Sequence, residues 1–107
     1  MAVQKGKRAE VQGLLEQVVK EMSRLVADGH LRIYLFGSWA QGRALSVSDL
    51  DIALDIGMPI SVSIMQDISD ALEELPTLRK IDVVDLQAVD EEFRNRVLEH
   101  GQLIYDR

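Results

Sequence analysis

Two aspartates stand two residues apart in the segment Ser48-Asp49-Leu50-Asp51. On a β-strand, residues i and i+2 point to the same face and lie roughly 6.6–7 Å apart along the backbone. Two carboxylates at that spacing repel each other unless a cation lies between them. Oxygen ligands suit hard divalent ions, Mg²⁺ first, with the phosphates of a substrate completing the shell. The apolar neighbours Leu50 and Ile52 argue against the alternative, a polar strand edge exposed to water.

A third acid, Asp82, lies early in the β-prone run IDVV, where a carboxylate is otherwise unfavourable. If this strand lies beside the first one, Asp82 can join Asp49 and Asp51 at one metal site. Two other acids are expected to lie elsewhere. Asp55 falls at the far end of its strand, where a surface role is favoured, and Asp85 is expected to be the exposed end of the third strand.

An apolar run ends at Gly37-Ser38, and a short polar segment follows it. A strand that runs directly into a helical turn, here from Ser38 to about Gly42, points backbone N–H groups outward and favours anions. Glycine lets a phosphate approach the backbone, and the Ser38 hydroxyl can donate to a phosphate oxygen. We assign Gly37, Ser38, Arg43 and Ser48 as candidate nucleotide-binding residues. For Arg43, a solvated or ion-paired side chain is an equal alternative.

A phosphate-binding turn with three acids on adjacent strands suits nucleotidyl transfer. Two Mg²⁺ ions would neutralise the charge of a nucleoside triphosphate while a hydroxyl attacks and pyrophosphate leaves. Asp49 and Asp51 would bind both metals. Asp82 would bind one metal and could accept the proton of the attacking hydroxyl. These three aspartates are the candidate catalytic and metal-binding residues.

The elements that must position these residues follow from hydrophobic spacing. The pattern predicts helices that alternate with short strands, and hence an α/β (α+β) class with helices packed on a small mixed β-sheet. Ser61 or Ser63 is expected to cap the second helix and Asp90 the third, and Asp28-Gly29 is expected to stop the first. The predicted helices span residues 8–27, 61–75 and 91–100, and the predicted strands span residues 31–36, 50–56, 79–86 and 103–105.

Composition restricts the class of protein. The chain has 107 residues, which fits a single domain, and it contains no cysteine, so disulfides and thiolate chemistry are excluded. The net charge is −6, and no dense cluster of lysine and arginine follows the N-terminal segment, so binding to long nucleic acid is disfavoured. No apolar run is long enough to suggest a membrane span or a secretory signal. We therefore expect a cytoplasmic protein that does not bind membranes.

The candidate residues resemble a known signature. The pattern G-S-x-A-x-G, here from Gly37 to Gly42, followed by S-D-x-D, here from Ser48 to Asp51, is similar to that of the polymerase-β-like nucleotidyltransferases. The short length and the later run IDVVDL, which contains Asp82, resemble the minimal nucleotidyltransferases (MNT) within that superfamily. The resemblance covers nearly the whole chain, and it implies the polymerase-β-like nucleotidyltransferase fold.

The resemblance also implies a partner. Minimal nucleotidyltransferases are commonly the antitoxin of a pair with a helical HEPN toxin, and some transfer AMP from ATP to a tyrosine of that toxin, as a type VII-like antitoxin does. Few residues follow Asp82, so we expect another chain, or a second copy in a homo-oligomer, to supply the acceptor side of the cleft. Two alternatives stay open: a non-catalytic antitoxin that neutralises its toxin by complex formation, and a homodimeric transferase acting on small molecules such as aminoglycosides.

Three further side chains have structural interpretations. Trp39, the single tryptophan, is expected to anchor the phosphate-binding turn to the core rather than to stack on a base. His30 and His100 each lie near a predicted helix C-terminus, where a cation interacts favourably with the helix dipole. We therefore assign none of the three to catalysis.

Overall fold

The structure, a computed structural model, describes residues 2–27, 29–45 and 48–107, with side chains from residue 9 onward. None of the helices in these ranges is long and apolar enough to cross a membrane. Along the described ranges the chain alternates helices and strands as predicted, in the order α1 (Ala2–Leu25), β1 (Arg32–Phe36), β2 (Leu50–Asp55), α2 (Val62–Glu73), β3 (Ile81–Asp85), α3 (Glu91–His100) and β4 (Gln102–Asp106).

Helix α1 forms because its apolar residues recur at helical spacing on one side. It begins before the predicted residue 8 and ends at Leu25, two residues before the predicted end. The predicted stop at Asp28 lies outside the described residues, and Gly29 after it has a φ of +84°. The guanidinium of Arg107 donates to the carbonyl oxygens of Ser23 in the last turn of α1 and of Val26 just after it, at 3.3 and 2.6 Å, so Arg107 caps this helix end. The buried stripe of α1 consists of Val11, Leu15, Val18 and Met22.

Side-chain caps begin the two shorter helices. The Ser61 hydroxyl accepts a hydrogen bond from the amide of Ile64 at 3.2 Å, so Ser61 rather than Ser63 caps α2. The Asp90 carboxylate accepts one from the amide of Phe93 at 2.7 Å at the start of α3, as predicted. Both helices therefore begin where a short polar side chain can satisfy a free backbone donor.

The four described strands form one mixed sheet in the order β3-β2-β1-β4. Strand β1 pairs antiparallel with β2 and with β4, and β2 pairs in parallel with β3. The parallel pair requires a crossover, and α2 supplies it. This sheet with its helices confirms the predicted fold class.

The two faces of the sheet are covered by different helices. Leu50, Ile52 and Leu54 of β2 belong to a buried cluster that includes the stripe of α1 and residues of α2. Ala53 of the same strand belongs to a second cluster with Val97 of α3. Because side chains alternate along a strand, odd-numbered residues of β2 lie on the α3 face.

Asp85 is buried, which contradicts its predicted position at an exposed strand end. Its side chain keeps 7% of its accessible surface. One carboxylate oxygen accepts a hydrogen bond from the amide of Ile60 at 2.8 Å, and the other accepts one from the amide of Gln87 at 3.0 Å. Burial of this carboxylate is tolerated because backbone donors replace water. Asp85 thus fastens the segment before α2 to the end of β3.

Candidate active site

The pairing of the strands brings the three candidate acids together. Asp51 lies opposite Phe36 of β1 and beside Asp82 of β3 in the sheet register. Asp49 immediately precedes β2 and has the same parity as Asp51. Val84, two residues after Asp82, packs in the cluster of the α3 face. All three acids therefore lie on the α3 face, at the end of the sheet where β1 ends and β2 and β3 begin.

The electrostatics of this edge centre on Asp51, which is half-buried. Burial raises the pKa of the Asp51 carboxyl, and repulsion from Asp82 and then from Asp49 raises it further, while the ammonium of Lys80 lowers it. The Lys80 Nζ atom lies 3.6 Å from Oδ1 of Asp82. Three acids thus share one region of negative potential, and a single lysine offsets part of it.

The donor set of this edge suits a hard divalent cation, because it consists of carboxylate oxygens that repel one another. In the part of the chain that the structure describes, no three His, Cys, Asp or Glu side chains are already gathered as a metal shell. The assignment of Asp49, Asp51 and Asp82 as metal ligands stays a prediction.

The predicted phosphate-binding turn follows β1 directly. The carbonyl oxygen of Gly37 accepts a hydrogen bond from the amide of Gln41 at 3.2 Å, and that of Ser38 accepts one from Arg43 at 2.9 Å. The segment is therefore a single helical turn, as predicted. The first amides of such a turn lack partners within it and favour an anion.

Gly37 joins this turn to the acids. Its φ of +75° lies in the left-handed region that only glycine adopts at little cost. A methyl group at this position would overlap Oδ2 of Asp51 and lie 3.2 Å from its Cγ. Gly37 is therefore required both by the backbone conformation and by the close approach of the Asp51 carboxylate.

The carbonyl oxygen of Ser48, next to Asp49, connects three segments of the site. The indole nitrogen of Trp39 in the phosphate-binding turn donates to it at 3.2 Å, and Nη1 of Arg79 donates to it at 3.3 Å. The Arg79 guanidinium also lies 5.0 Å from the centroid of the Trp39 ring, a cation–π contact. Trp39 keeps 4% of its accessible surface, so its predicted anchoring role agrees with the structure.

Two residues that were predicted to bind the nucleotide, Ser48 and Arg43, contact other parts of the protein. The Ser48 hydroxyl accepts a hydrogen bond from the amide of Leu45 at 2.9 Å, which leaves its own proton able to donate. Arg43 is exposed, and its guanidinium donates to the side-chain oxygen of Gln41. The structure thus brings Gly37 close to the acids but directs Arg43 to its own turn, and the nucleotide-binding roles of both Ser48 and Arg43 stay predictions.

Sequence reasoning missed two cations of this edge. Lys80 precedes Asp82 by two residues at the start of β3, so both side chains point to the same face of an extended chain, and this spacing was visible in the sequence. Arg79 meets Trp39 from a distance of 40 positions, and no local pattern marks that contact.

Comparisons with known proteins identify the family of the chain. The family model for polymerase beta nucleotidyltransferases matches residues 13–107. No curated protein matches the chain significantly. A toxin–antitoxin crystal structure with AMP-PNP is 26% identical, with 84% of this chain and 72% of that chain covered and a TM-score of 0.61. A tyrosine-to-alanine variant of the MntA-HpeT toxin–antitoxin is also 26% identical, with coverages of 84% and 71% and a TM-score of 0.59.

A third solved structure shares the fold over almost the whole chain. It is a protein from Sulfolobus solfataricus classed as a nucleotidyltransferase, 23% identical, with 98% of this chain and 88% of that chain covered and a TM-score of 0.67. The family match and the two toxin–antitoxin structures confirm the predicted resemblance to the minimal nucleotidyltransferases. With nearly the whole chain matched by the family model, this protein belongs to the polymerase beta nucleotidyltransferase family.

Proposed function

We propose that the protein is a Mg²⁺-dependent adenylyltransferase that transfers AMP from ATP to a tyrosine hydroxyl of a HEPN toxin, and so acts as its type VII-like antitoxin. The observation that carries the proposal is the contact between two chemical parts of the site. Gly37 of the phosphate-binding turn lies against the Asp51 carboxylate, and Asp51 is in register with Asp82. A triphosphate held by the turn would therefore lie beside all three acids.

The chain supplies binding, orientation and a proton acceptor. The amides of the turn and the Ser38 hydroxyl would hold phosphate oxygens. Asp49, Asp51 and Asp82 would hold Mg²⁺, which neutralises phosphate charge when bound. The bond from the acceptor oxygen to the α-phosphorus forms as the bond to the β-phosphate oxygen breaks. The proton of the hydroxyl passes to Asp82, and pyrophosphate leaves.

The choice of a protein acceptor rests on the comparisons. Two of the matched structures at 26% identity are toxin–antitoxin assemblies, and one of them contains AMP-PNP, an ATP analogue. The acids of this chain lie at one end of the sheet, and Asp82 belongs to β3, an edge strand of the described sheet. A partner that docks there would place its hydroxyl near Asp82.

The test uses the product of the adjacent gene as the acceptor. That protein is incubated with the chain, ATP and Mg²⁺, and its intact mass is measured. We expect an increase by one or more AMP units, none without Mg²⁺, and loss of the toxin's activity in parallel. An acceptor whose mass stays unchanged with every nucleoside triphosphate would contradict the proposal.

Three charge-removing variants separate catalysis from neutralisation by binding alone. Asp49→Asn and Asp51→Asn should abolish the mass increase and the neutralisation together. Asp55→Asn is the matched control, because Asp55 lies on β2 but bonds to Gly57 and Gln87 at the other end of the strand. Neutralisation that survives in the first two variants would favour a non-catalytic antitoxin.

A further inference from the structure

Strand β3, which contains Asp82, pairs with β2 on one side, and its other side is an outer edge of the described sheet. Two hydrogen bonds show which of its residues face β2. The carbonyl oxygen of Lys80 accepts from the amide of Leu50 at 2.9 Å, and the amide of Leu86 donates to the carbonyl oxygen of Leu54 at 2.8 Å. The N–H and C=O groups of one residue point to the same side of a strand, and those of the next residue point to the opposite side. The even-numbered residues of β3 therefore direct their backbone groups toward β2.

The odd-numbered residues Ile81 and Val83 direct their N–H and C=O groups to the outer edge. The carbonyl oxygen of Asp85, the next odd-numbered residue, accepts from the amide of Ala88 at 3.0 Å, where the strand ends. A row of outward backbone donors and acceptors is a template for an added strand. The antiparallel arrangement is the more stable one per residue. The edge of β3 can thus pair with a short antiparallel segment of another chain.

A cavity of about 340 Å³ lies between α2 and this edge. Ile81 and Val83 line it from the strand, and Ser69 and Leu72 line it from the helix. Pockets that hold a whole small molecule have volumes of about 300–1,000 Å³. This cavity falls at the lower end of that range, so it accommodates one or two side chains of an added strand.

The opposite face of the same edge holds Asp82. The residue of an added antiparallel strand that lies opposite Asp82 forms a non-hydrogen-bonded pair with it, because the backbone groups of Asp82 face β2. Side chains in such pairs come closest, with Cα atoms about 4.5 Å apart rather than about 5.5 Å. That residue would therefore present its side chain to the acids. Its two neighbours in the sequence would turn their side chains to the other face, into the cavity.

Charge and exposed apolar surface indicate the kind of segment that fits. The Lys80 side chain, beside Asp82, keeps 71% of its accessible surface. The residue of the added strand opposite Lys80 is two positions from the one opposite Asp82, so a carboxylate there would meet the ammonium and a cation would be repelled. Leu78, between the cavity-lining residues Thr77 and Arg79, is fully exposed and extends the apolar surface.

We propose that the acceptor protein docks by adding an extended segment to the outer edge of β3, antiparallel to the strand. The acceptor tyrosine lies opposite Asp82, and an apolar residue next to the tyrosine fills the cavity beside α2. An acid two positions from the tyrosine contacts Lys80. The inference rests on the proposed function, because it takes a tyrosine hydroxyl as the acceptor. It assigns recognition of the acceptor to the backbone of β3 and to this cavity.

Hydrogen exchange measures the pairing directly. The chain is mixed with Mg²⁺, the product of the adjacent gene and α,β-methylene ATP, whose bridge between the α- and β-phosphorus the reaction cannot break. The amides of Ile81 and Val83, followed by NMR, should exchange at least about tenfold more slowly with this partner than without it. The amides of β4, the other edge strand of the described sheet, are the control and should keep their exchange rates.

Two variants test the cavity and the edge separately. Ser69→Trp, at an exposed position of α2, fills the cavity without altering β3. Val83→Pro removes an outward N–H group, a change that edge strands tolerate. Each should raise the KM for the partner in AMP transfer at least about tenfold, while the affinity for ATP in calorimetry stays that of the wild type. Ser63→Trp, also at an exposed position of α2 but outside the cavity, is the matched control and should leave the KM unchanged.

The outcomes separate this inference from the proposed function. AMP transfer with an unchanged KM in Ser69→Trp, and β3 amides that the partner does not protect, would overturn the inference and leave the proposed function intact. Protection of these amides without any AMP transfer would overturn the proposed function and support the docking edge. A wild type that shows neither would overturn both. Protection that appears in the chain alone as its concentration rises would assign the edge to a second copy and overturn the inference. Should Val83→Pro fail to fold, Ser69→Trp decides the question.

Discussion

Replacing Gly37 by alanine tests whether the phosphate-binding turn and the acids form one site. The backbone at this position has a φ of +75°. An L-residue in the left-handed region costs about 1–2 kcal/mol. The new methyl group would also overlap Oδ2 of Asp51, and turning that carboxylate away from its preferred rotamer costs about 0.5–1.5 kcal/mol more. Gly37→Ala should therefore lower the free energy of unfolding by about 2–3 kcal/mol.

Gly57→Ala is the matched control. Gly57 has nearly the same conformation, with a φ of +83°, but no atom lies within 4 Å of the position that its methyl group would take. The conformational cost should thus be similar in the two variants, about 1–2 kcal/mol. The additional loss in Gly37→Ala measures the contact with Asp51.

Stability is measured by urea denaturation, with the fluorescence of Trp39 as the probe, since it is the single tryptophan and is buried. Function is measured as Mg²⁺-dependent binding of ATP and as AMP transfer to the partner. Because Asp51 is displaced only in Gly37→Ala, transfer should fall by about 100-fold there and stay near the wild-type rate in Gly57→Ala. Equal losses of stability in the two variants, with equal activities, would refute the reasoning. Gly37 would then be required only by the backbone conformation of the turn and not by its contact with Asp51.

Three further predictions concern charge and hydrogen bonding. Asp51→Asn removes a carboxyl whose pKa is raised in the folded protein, so ionisation of this carboxyl in the wild type opposes folding as pH rises. In thermal denaturation without metal, the melting temperature of the variant should be up to about 5 °C above that of the wild type at about pH 8. Near about pH 4 the two melting temperatures should be equal. Arg79→Gln removes one of the two described donors to the Ser48 carbonyl, which lies next to Asp49. This change should raise the Mg²⁺ concentration for half-maximal AMP transfer about fivefold. A titration with Mg²⁺ measures the effect, and a titration curve like that of the wild type would contradict the prediction. Asp85→Ala leaves the buried amide of Ile60 without its acceptor and should cost about 1–3 kcal/mol in urea denaturation, more than Asp85→Asn, which keeps an acceptor oxygen.

Local features of the sequence were enough to predict the elements of the fold. Ser61 and Asp90 cap helices because a short polar side chain can reach an amide three residues ahead in the same segment. The apolar stripe of α1 and the alternation in β2 are likewise properties of neighbouring residues. The candidate site was found for the same reason, since Gly37 and the pair of Asp49 and Asp51 lie within one short stretch of chain.

Long-range contacts were not accessible in this way. Asp85 looked like the exposed end of a strand, and only the fold brings the amide of Ile60, 25 positions away, to its carboxylate. The meeting of Trp39 with Arg79 at the Ser48 carbonyl likewise joins residues from separate segments. Such contacts depend on the packing of elements, which no local periodicity encodes.

By itself the sequence determined which residues could do chemistry, because the residue types and their short-range spacing limit what a carboxylate pair or a glycine-serine turn can bind. Whether Asp82 joins that group depended on strand register. The parallel pairing of β2 with β3 places it beside Asp51, and the antiparallel pairing of β1 with β2 brings Gly37 against the same carboxylate. A shift of one residue in either pairing would turn these side chains to the opposite face. Tertiary structure therefore decided that the turn after β1 lies next to the acids of β2 and β3.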